Sequence, residues 1–272
     1  MAELKNAMDV FKLLEKTNCR ECNEKTCLAF AGAVFQGRRN LEECPHIDAE
    51  TLERFGENVK RRQTIEEGLD ATISLLKKEI AGIDLATRAD IVGGKFQNGK
   101  LALKIFGKDF HVYPNGDLAS DIHINPWVTI PVLSYILKCG GLPAKGEWTP
   151  FRELRGGKEM AGLFSQRCEK PLKTVADKYT ELLEDMIHIF NGRPVENHYD
   201  SDIALVLHPL PKVPMLICYW KPEDGLESDL SLFFDITAAE NLGIESIYGL
   251  GTGLVRMFEK FAFRHGGWIK PK

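Results

Sequence analysis

The 272-residue chain is 44% apolar and 27% charged, which suffices to bury one sizeable core beside a small appendage and excludes a disordered polyampholyte. Its 35 basic and 39 acidic residues leave a net charge of −4, which argues against a general nucleic-acid binder, whose phosphate contacts need a basic surplus. The start, Met1-Ala2-Glu3-Leu4-Lys5, lacks the basic-then-apolar layout of a signal peptide, and the longest apolar stretch, Ile124 to Leu137, is broken by Pro126 and Pro131; no membrane span and a cytoplasmic location are expected.

In chain order, Asp9 to Lys16 carries Val10, Phe11, Leu13 and Leu14 on one side of a short helix, and Thr26 is placed to cap a second helix from Cys27 to Phe35. A longer helix is expected from about Arg62 to Ile80, with Ile65, Leu69, Ile73, Leu76 and Ile80 at helical spacing. Past Gly82 the apolar period changes to two. Asn98-Gly99 separates Lys95-Phe96 from Leu101, Leu103 and Ile105, Gly107-Lys108 turns the chain back into Phe110 and Val112, and Pro114-Asn115-Gly116 closes an antiparallel meander. After Pro171, the residues Leu172, Val175, Tyr179, Leu182, Leu183, Met186 and Phe190 form one helical stripe, stopped by Asn191-Gly192 and Pro194. Ile203 to Leu207, Met215 to Trp220 and Leu230 to Phe234 read as strands, and helices from about Ala238 to Phe263 end the pattern. The fold class is therefore α+β: a small helical cluster module over residues 1–60, a helical connector over 61–84, and a larger domain of mainly antiparallel sheet and helices over 85–272.

Four of the seven cysteines fall in the first 44 residues, as Cys19-Arg20-Glu21-Cys22-Asn23-Glu24-Lys25-Thr26-Cys27 and then Cys44-Pro45. In a reducing compartment such a cluster of thiols reads as a metal site before it reads as disulfides. Three closely spaced thiolates can hold three irons of a cubane, and a fourth returning after one helix supplies the last corner. Pro45 stiffens the backbone beyond that fourth ligand, and a helix opening at Cys27 would point free N–H groups at the anionic sulfurs. A 4Fe-4S cluster is the reading these residues favour. Zinc is the alternative, although zinc sites usually show a second close pair, and unligated core cysteines are the third.

This spacing, with Thr26 before the third cysteine, Leu28-Ala29-Phe30-Ala31 after it and Cys44-Pro45 at the close, is similar to the small 4Fe-4S domain at the start of the corrinoid/iron-sulfur protein large subunit. The same domain occurs in a subunit of membrane-associated ferredoxin-oxidising complexes. The resemblance implies that Cys19, Cys22, Cys27 and Cys44 are the cluster ligands. Domains of this kind often carry glycine directly after the first and second cysteines, where this chain has Arg20 and Asn23. From about Leu85 onward, the segments Trp148 to Gly157, Asp202 to His208 with Pro209 to Pro214, and Leu232 to Asp235 resemble a domain-of-unknown-function family of anaerobic bacteria and archaea, often fused to this cluster domain.

Outside the cysteines the signals are weaker. Trp148, Arg152 and Glu153, beside Gly156-Gly157, place an aromatic plane, a planar cation and a carboxylate where a second cofactor could be gripped; an ion-paired loop is the plain reading. His208 at a strand end is a candidate axial ligand or, more simply, a packing residue. His46 reads as solvated or as a hydrogen-bond donor to the cluster, Gly249-Leu250-Gly251-Thr252-Gly253 as a glycine-interrupted helix or turn, and Cys139 as structural. The functional expectation is an iron-sulfur electron-transfer protein that supplies low-potential electrons to a redox partner or second cofactor. The resemblance suggests anaerobic, corrinoid-dependent one-carbon metabolism, with a corrinoid protein or methyltransferase as partner and a corrinoid or other tetrapyrrole as candidate second cofactor. The rival class is a cofactor- or partner-binding assembly protein in which the cluster is structural.

Overall fold

Local caps shape the short helices at the N-terminal end of the computed structural model, which describes residues 4, 6–55, 65–121, 124–196, 198–223 and 225–266. The chain divides into two compact units, Met1–Ala71 and Thr72–Lys272. In the first unit the Asn6 side chain accepts from the Asp9 N–H and opens a helix over Ala7–Lys12. That helix starts and stops earlier than the apolar pattern suggests, because Asn6 caps it upstream and Lys16 adopts a left-handed backbone (φ 61°). Helix Cys27–Phe35 is capped by Thr26, whose hydroxyl accepts from the Ala29 N–H at 3.0 Å, as the sequence predicts. A 3₁₀ turn at Leu41–Glu43, boxed by Asn40 and Glu43, and helix Ala49–Phe55 complete the unit. Its apolar core gathers Val10, Leu14, Phe30, Val34, Leu41, Ile47 and Phe55 around three of the four clustered cysteines.

Helix Ile65–Ala81 follows. The expected start at Arg62 lies outside the described residues, as does the side chain of Ile65, while Leu76 and Ile80 near the other end are buried in the core of the larger unit. The meander forms as its turns predict: β1 (Lys95–Gln97), β2 (Lys100–Ile105), β3 (Lys108–Val112) and β4 (Leu118–Ser120) pair antiparallel in sequence order. Asn98 and Gly99 both take left-handed angles in the first turn, and Phe106 and Gly107 do so in the second. The period-2 pattern buries Leu101, Leu103 and Ile105 on β2 against Phe110 and Val112 on β3.

Helix Pro126–Lys138 differs from the expectation that two prolines interrupt this stretch. Pro126 sits in the first turn, where its missing N–H costs nothing, and the helix continues through Pro131, whose ring lies over Gly249 with space that a side chain would fill. The single helix expected after Pro171 is instead interrupted. Helix Ala161–Phe164, a π-helical turn over Ser165–Glu169 and helix Lys170–Lys178 run together past Pro171. Tyr179 then leaves helical geometry (φ −139°, ψ 63°), and helix Thr180–Ile189 begins anew, with the Thr180 hydroxyl donating to the Ala176 carbonyl. The side chains of Leu182 and Met186 lie outside the described residues.

A second sheet runs in the order β5 (Trp148–Pro150), β9 (Asp229–Asp235), β8 (Val213–Trp220), β7 (Ile203–Leu210), β6 (Arg193–Pro194), antiparallel throughout. Its three long strands match the apolar runs. The two edges escaped sequence reading because they are two or three residues long and contain Pro150 and Pro194, and edges are where a strand tolerates a missing donor. One face, with Leu205, Leu207, Ile217, Leu232 and Phe234, enters the main core; the other holds Ala204, Val206, Leu216 and Cys218 beneath Trp148, Trp220 and Phe233. The Phe106 N–H donates to the His208 carbonyl at 3.0 Å and ties the first sheet to the second.

Helix Ile244–Gly266 runs unbroken through Gly249, Gly251 and Gly253, so the glycine triplet is a helical contact surface. A Cβ on Gly251 would come within 2.9 Å of Phe164 and 3.0 Å of the Cys168 sulfur, so glycine is required for this close packing. Buried Asn241 seals the neighbouring loop: its carbonyl oxygen accepts from the Leu142 N–H, and its amide donates to the carbonyls of Leu142 and Lys212. Among the described residues no helix is long and apolar enough to cross a membrane.

Leu76 and Ile80 make the domain boundary testable. Each buries enough apolar surface to stabilise the core by about 1.5–3 kcal/mol. A fragment of residues 72–272 is expected to unfold cooperatively in urea, and a fragment of 85–272 at a distinctly lower denaturant concentration; equal midpoints would show that the helix end contributes nothing.

Candidate metal centre

The loop that carries the cysteines is bent by residues in left-handed geometry that alternate with them: Asn18 (φ 54°), Arg20 (φ 68°) and Asn23 (φ 61°). Asparagine tolerates this region, while arginine there costs about 1 kcal/mol. Arg20 and Asn23 directly follow Cys19 and Cys22, and both hold the left-handed backbone that glycine adopts without strain. Arg20 therefore adds strain to this turn.

Cys22, Cys27 and Cys44 are buried, at 8–9% exposure, in the apolar cluster with Val10, Leu14, Phe30 and Ile47, whereas Cys19 is exposed. Asn18 and Cys27 clasp each other. The Asn18 backbone N–H donates to the Cys27 sulfur at 3.3 Å, and the Cys27 N–H donates to the Asn18 carboxamide oxygen at 2.8 Å. This modifies the expectation of free helix N–H groups: Thr26 and Asn18 occupy the N–H groups of Ala29 and Cys27, and the amide that reaches sulfur comes from the loop.

Burial pushes the Cys44 thiol above its ordinary pKa; the His46 backbone N–H opposes that shift, and charge on Cys22, Cys19 and Cys27 adds to it. Cys44 is thus within electrostatic reach of the other three thiols. Four soft donors, three of them in an apolar shell and one accepting an amide N–H, fit an iron-sulfur cluster, because the iron charge relieves the repulsion among the thiolates.

Two neighbours went unnoticed in the sequence. Arg39 forms an ion pair with Glu43 at 2.6 Å, lies 3.8 Å from Glu24 and comes near enough to Cys22 to be affected by its charge. Asn18 is the other, and only folding brings it to Cys27, nine residues on. His46 is exposed, and its ring is held by carboxylates. Its Nε2 is 3.0 Å from Glu21 Oε2 and its Nδ1 is 3.8 Å from Glu15 Oε2. The donor atoms of Cys19, Glu21 and His46 lie within 4.8 Å of one another, but this mixed set is exposed and its imidazole is already engaged by carboxylates.

The other candidate residues lie on the larger unit. Trp148 on β5 is half-buried, stands edge-on to His198 with ring centroids 6.5 Å apart, and accepts the Tyr199 hydroxyl on its carbonyl. Arg152 and Glu153 are exposed in the adjoining 3₁₀ turn, 3.6 Å apart. His208 lies on β7, three strand spacings or roughly 14 Å from β5; partial desolvation and then the charge of Arg193 hold its pKa below the usual histidine value. Arg152 and Glu153 thus lie together, with the Thr149 hydroxyl donating to Glu153 at 3.4 Å, while Trp148, next to Thr149 on β5, points to the opposite face of the strand toward His198, and His208 is set apart. Glu169, in the π-helical turn, is a candidate that the apolar pattern does not reveal. It accepts from the Leu232 N–H at 3.3 Å, and burial raises its pKa.

These environments predict an order of thiol reactivity. In the metal-free protein at pH 8, Cys19 is expected to alkylate first. Cys44, whose raised pKa leaves less thiolate, follows more slowly, and Cys168, which burial pushes up to about 12, comes last. Peptide mass spectrometry after timed iodoacetamide treatment reads this order, and Cys168 reacting as fast as Cys19 would contradict the packing.

Comparison with known proteins agrees with this division of the chain. Residues 14–46, which span all four clustered cysteines, match the profile of an Fe-S cluster family. Residues 84–257 match the domain of unknown function DUF3786. Among curated proteins, the gamma subunit of the acetyl-CoA decarbonylase/synthase complex from Methanopyrus kandleri is 46% identical over 57 residues, 21% of this chain and 12% of that protein. Its counterpart from Methanothermobacter thermautotrophicus is 42% identical over 49 residues, 18% of this chain and 11% of that protein. The corrinoid/iron-sulfur protein large subunit of Moorella thermoacetica is 42% identical over 40 residues, 15% of this chain and 9% of that protein. The chain therefore spans 9–12% of the length of these relatives. No solved structure matches it. Because the longer match covers well over half of its residues, the chain belongs to the DUF3786 family, with an Fe-S cluster domain preceding that region.

Proposed function

We propose that the protein is an electron carrier whose Cys19, Cys22, Cys27 and Cys44 hold a 4Fe-4S cluster and which delivers low-potential electrons to a partner in anaerobic one-carbon metabolism. The observation that carries this reading is the return of Cys44 to within electrostatic reach of Cys19, Cys22 and Cys27, with three of the four in the apolar core of the first unit. Such a cluster supplies one-electron chemistry without making or breaking substrate bonds. The chain's own groups set the conditions for it. The apolar shell keeps water from three sulfurs, the Asn18 N–H offsets negative charge on Cys27, and the Arg39 guanidinium lies close to Cys22. Exposed Cys19 gives electrons a short path to a docked partner.

The partner class rests on the relatives, which are named subunits of an acetyl-CoA decarbonylase/synthase complex and a corrinoid/iron-sulfur protein. A corrinoid protein or an associated methyltransferase is the partner we propose, in the cytoplasm. For a second cofactor on the larger domain, the support is the exposed pair Arg152 and Glu153 in the turn that follows β5, the strand that carries half-buried Trp148. The rival reading, a structural clip in a binding or assembly protein, draws on the place of Cys22, Cys27 and Cys44 in the apolar core of the first unit.

Anaerobically purified protein is expected to contain about four irons and four sulfides per chain and to lose them in Cys22→Ala or Cys27→Ala. Dithionite-reduced protein mixed with an oxidised corrinoid protein should be reoxidised as the cobalt is reduced; a cluster that stays reduced in that mixture would overturn the carrier role. Asn18→Ala frees the Cys27 N–H and loosens the clasp that aims the loop amide at sulfur. It should shift the midpoint potential to more negative values, since N–H donors favour the more negative reduced state. Full iron content with an unchanged potential would remove Asn18 from this role.

A further inference from the structure

Apart from the cysteines, the larger unit contains an open cavity of about 620 Å³ between helix Lys170–Lys178, the end of β8 and the segment leading into β9. Its organising group is Asp177. One carboxylate oxygen accepts from the buried Tyr219 hydroxyl at 2.9 Å and from the Ser228 hydroxyl at 2.5 Å, and the other accepts from the Lys173 ammonium at 3.0 Å. Partial desolvation opposes ionisation, but the donors Ser228, Lys173 and Tyr219 outweigh it, so the Asp177 pKa lies below the usual carboxylate value. The carboxylate is therefore ionised and committed to the protein, and its effect is to fix Lys173 at the cavity wall.

The remaining valence selects a ligand class. Lys173 has two further N–H groups, and Lys221 brings a second ammonium to the same cavity, with its own backbone N–H held by Asp202 at 2.7 Å. Two ammonium groups in one lining favour an oxyanion and oppose a metal cation, and the Asp177 carboxylate is already engaged by three donors. Glu227 also lines the cavity. Its charge disfavours a dianion such as phosphate and favours a ligand that presents a hydrogen-bond donor beside its anionic group. Tyr219 and Pro222 supply the apolar part of the lining, and the Tyr219 hydroxyl is already committed to Asp177.

We propose that this cavity is a binding site for a small carboxylate that also carries a hydroxyl or ammonium group. The carboxylate bridges Lys173 and Lys221, and the donor faces Glu227. This site is independent of the proposed electron-carrier role and would stand if that role failed.

The test is calorimetric titration of the full-length protein with lactate, glycine, acetate and inorganic phosphate. Lactate or glycine should bind saturably in the millimolar range, and which of the two binds distinguishes a hydroxyl from an ammonium requirement; acetate and phosphate should bind more weakly. Lys221→Met leaves the Asp177 network in place and should weaken binding roughly tenfold, the loss of one charge-assisted hydrogen bond, with an unchanged melting midpoint. Glu227→Gln should narrow the advantage of lactate or glycine over acetate. The proposal is overturned by no binding of lactate or glycine up to about 20 mM, by phosphate binding as tightly as they do, or by equal affinity in Lys221→Met.

Discussion

The mutual clasp of Asn18 and Cys27 is the constraint on which the metal centre depends. A left-handed asparagine turns the loop, its carboxamide takes the N–H that opens helix Cys27–Phe35, and its own N–H reaches the Cys27 sulfur. The same turn delivers Cys19 and Cys22 beside the start of that helix, while the 3₁₀ turn at Leu41–Glu43 returns Cys44. Cys44 feels the charge of the other three cysteines, which is unfavourable for bare thiolates and becomes favourable once a multivalent metal cluster shares the site. Fold and cofactor are therefore coupled in this unit, whose core contains three of the thiols.

The larger unit follows a different logic. Its two antiparallel sheets and their helices bury a continuous apolar core in which the thiols of Cys139 and Cys168 are packing groups. Close helix contact at Gly251 and a saturated Asn241 show a scaffold built for fixed geometry. Polar groups collect instead at the end of the second sheet, where Asp177 spends its charge on positioning Lys173 and leaves cationic N–H groups facing a cavity. That separation, an inert core and a polar rim, is what a domain needs to hold a small polar ligand without rearranging.

Much of this was legible in local sequence because it depends on local physics. The four cysteines, the Thr26 cap, the Asn98-Gly99 turn and the three long strands of the second sheet each follow from spacing or from turn chemistry within a few residues. What escaped reading depends on distance along the chain. Asn18 meets Cys27 only after the loop closes, and Tyr219 and Ser228 reach Asp177 across 42 and 51 residues. The break at Tyr179 leaves the apolar stripe intact and is invisible to a periodicity argument, while the short edge strands at Trp148–Pro150 and Arg193–Pro194 carry prolines that argue against a strand anywhere except at an edge. Arg152 and Glu153 pair as neighbours in sequence, whereas Trp148 points to the other face of β5 from Thr149, and His208 is set apart by the strand order, which local sequence does not specify.

The central claim is that these four thiols hold a redox-active cluster, and the most direct measurement is a potentiometric titration of the full-length protein under anaerobic conditions, followed by electron paramagnetic resonance. The account predicts a reversible one-electron transition at low potential, with a paramagnetic signal that appears on reduction and disappears on reoxidation. A protein that carries zinc, or whose iron shows no reversible transition across the accessible range, would contradict it.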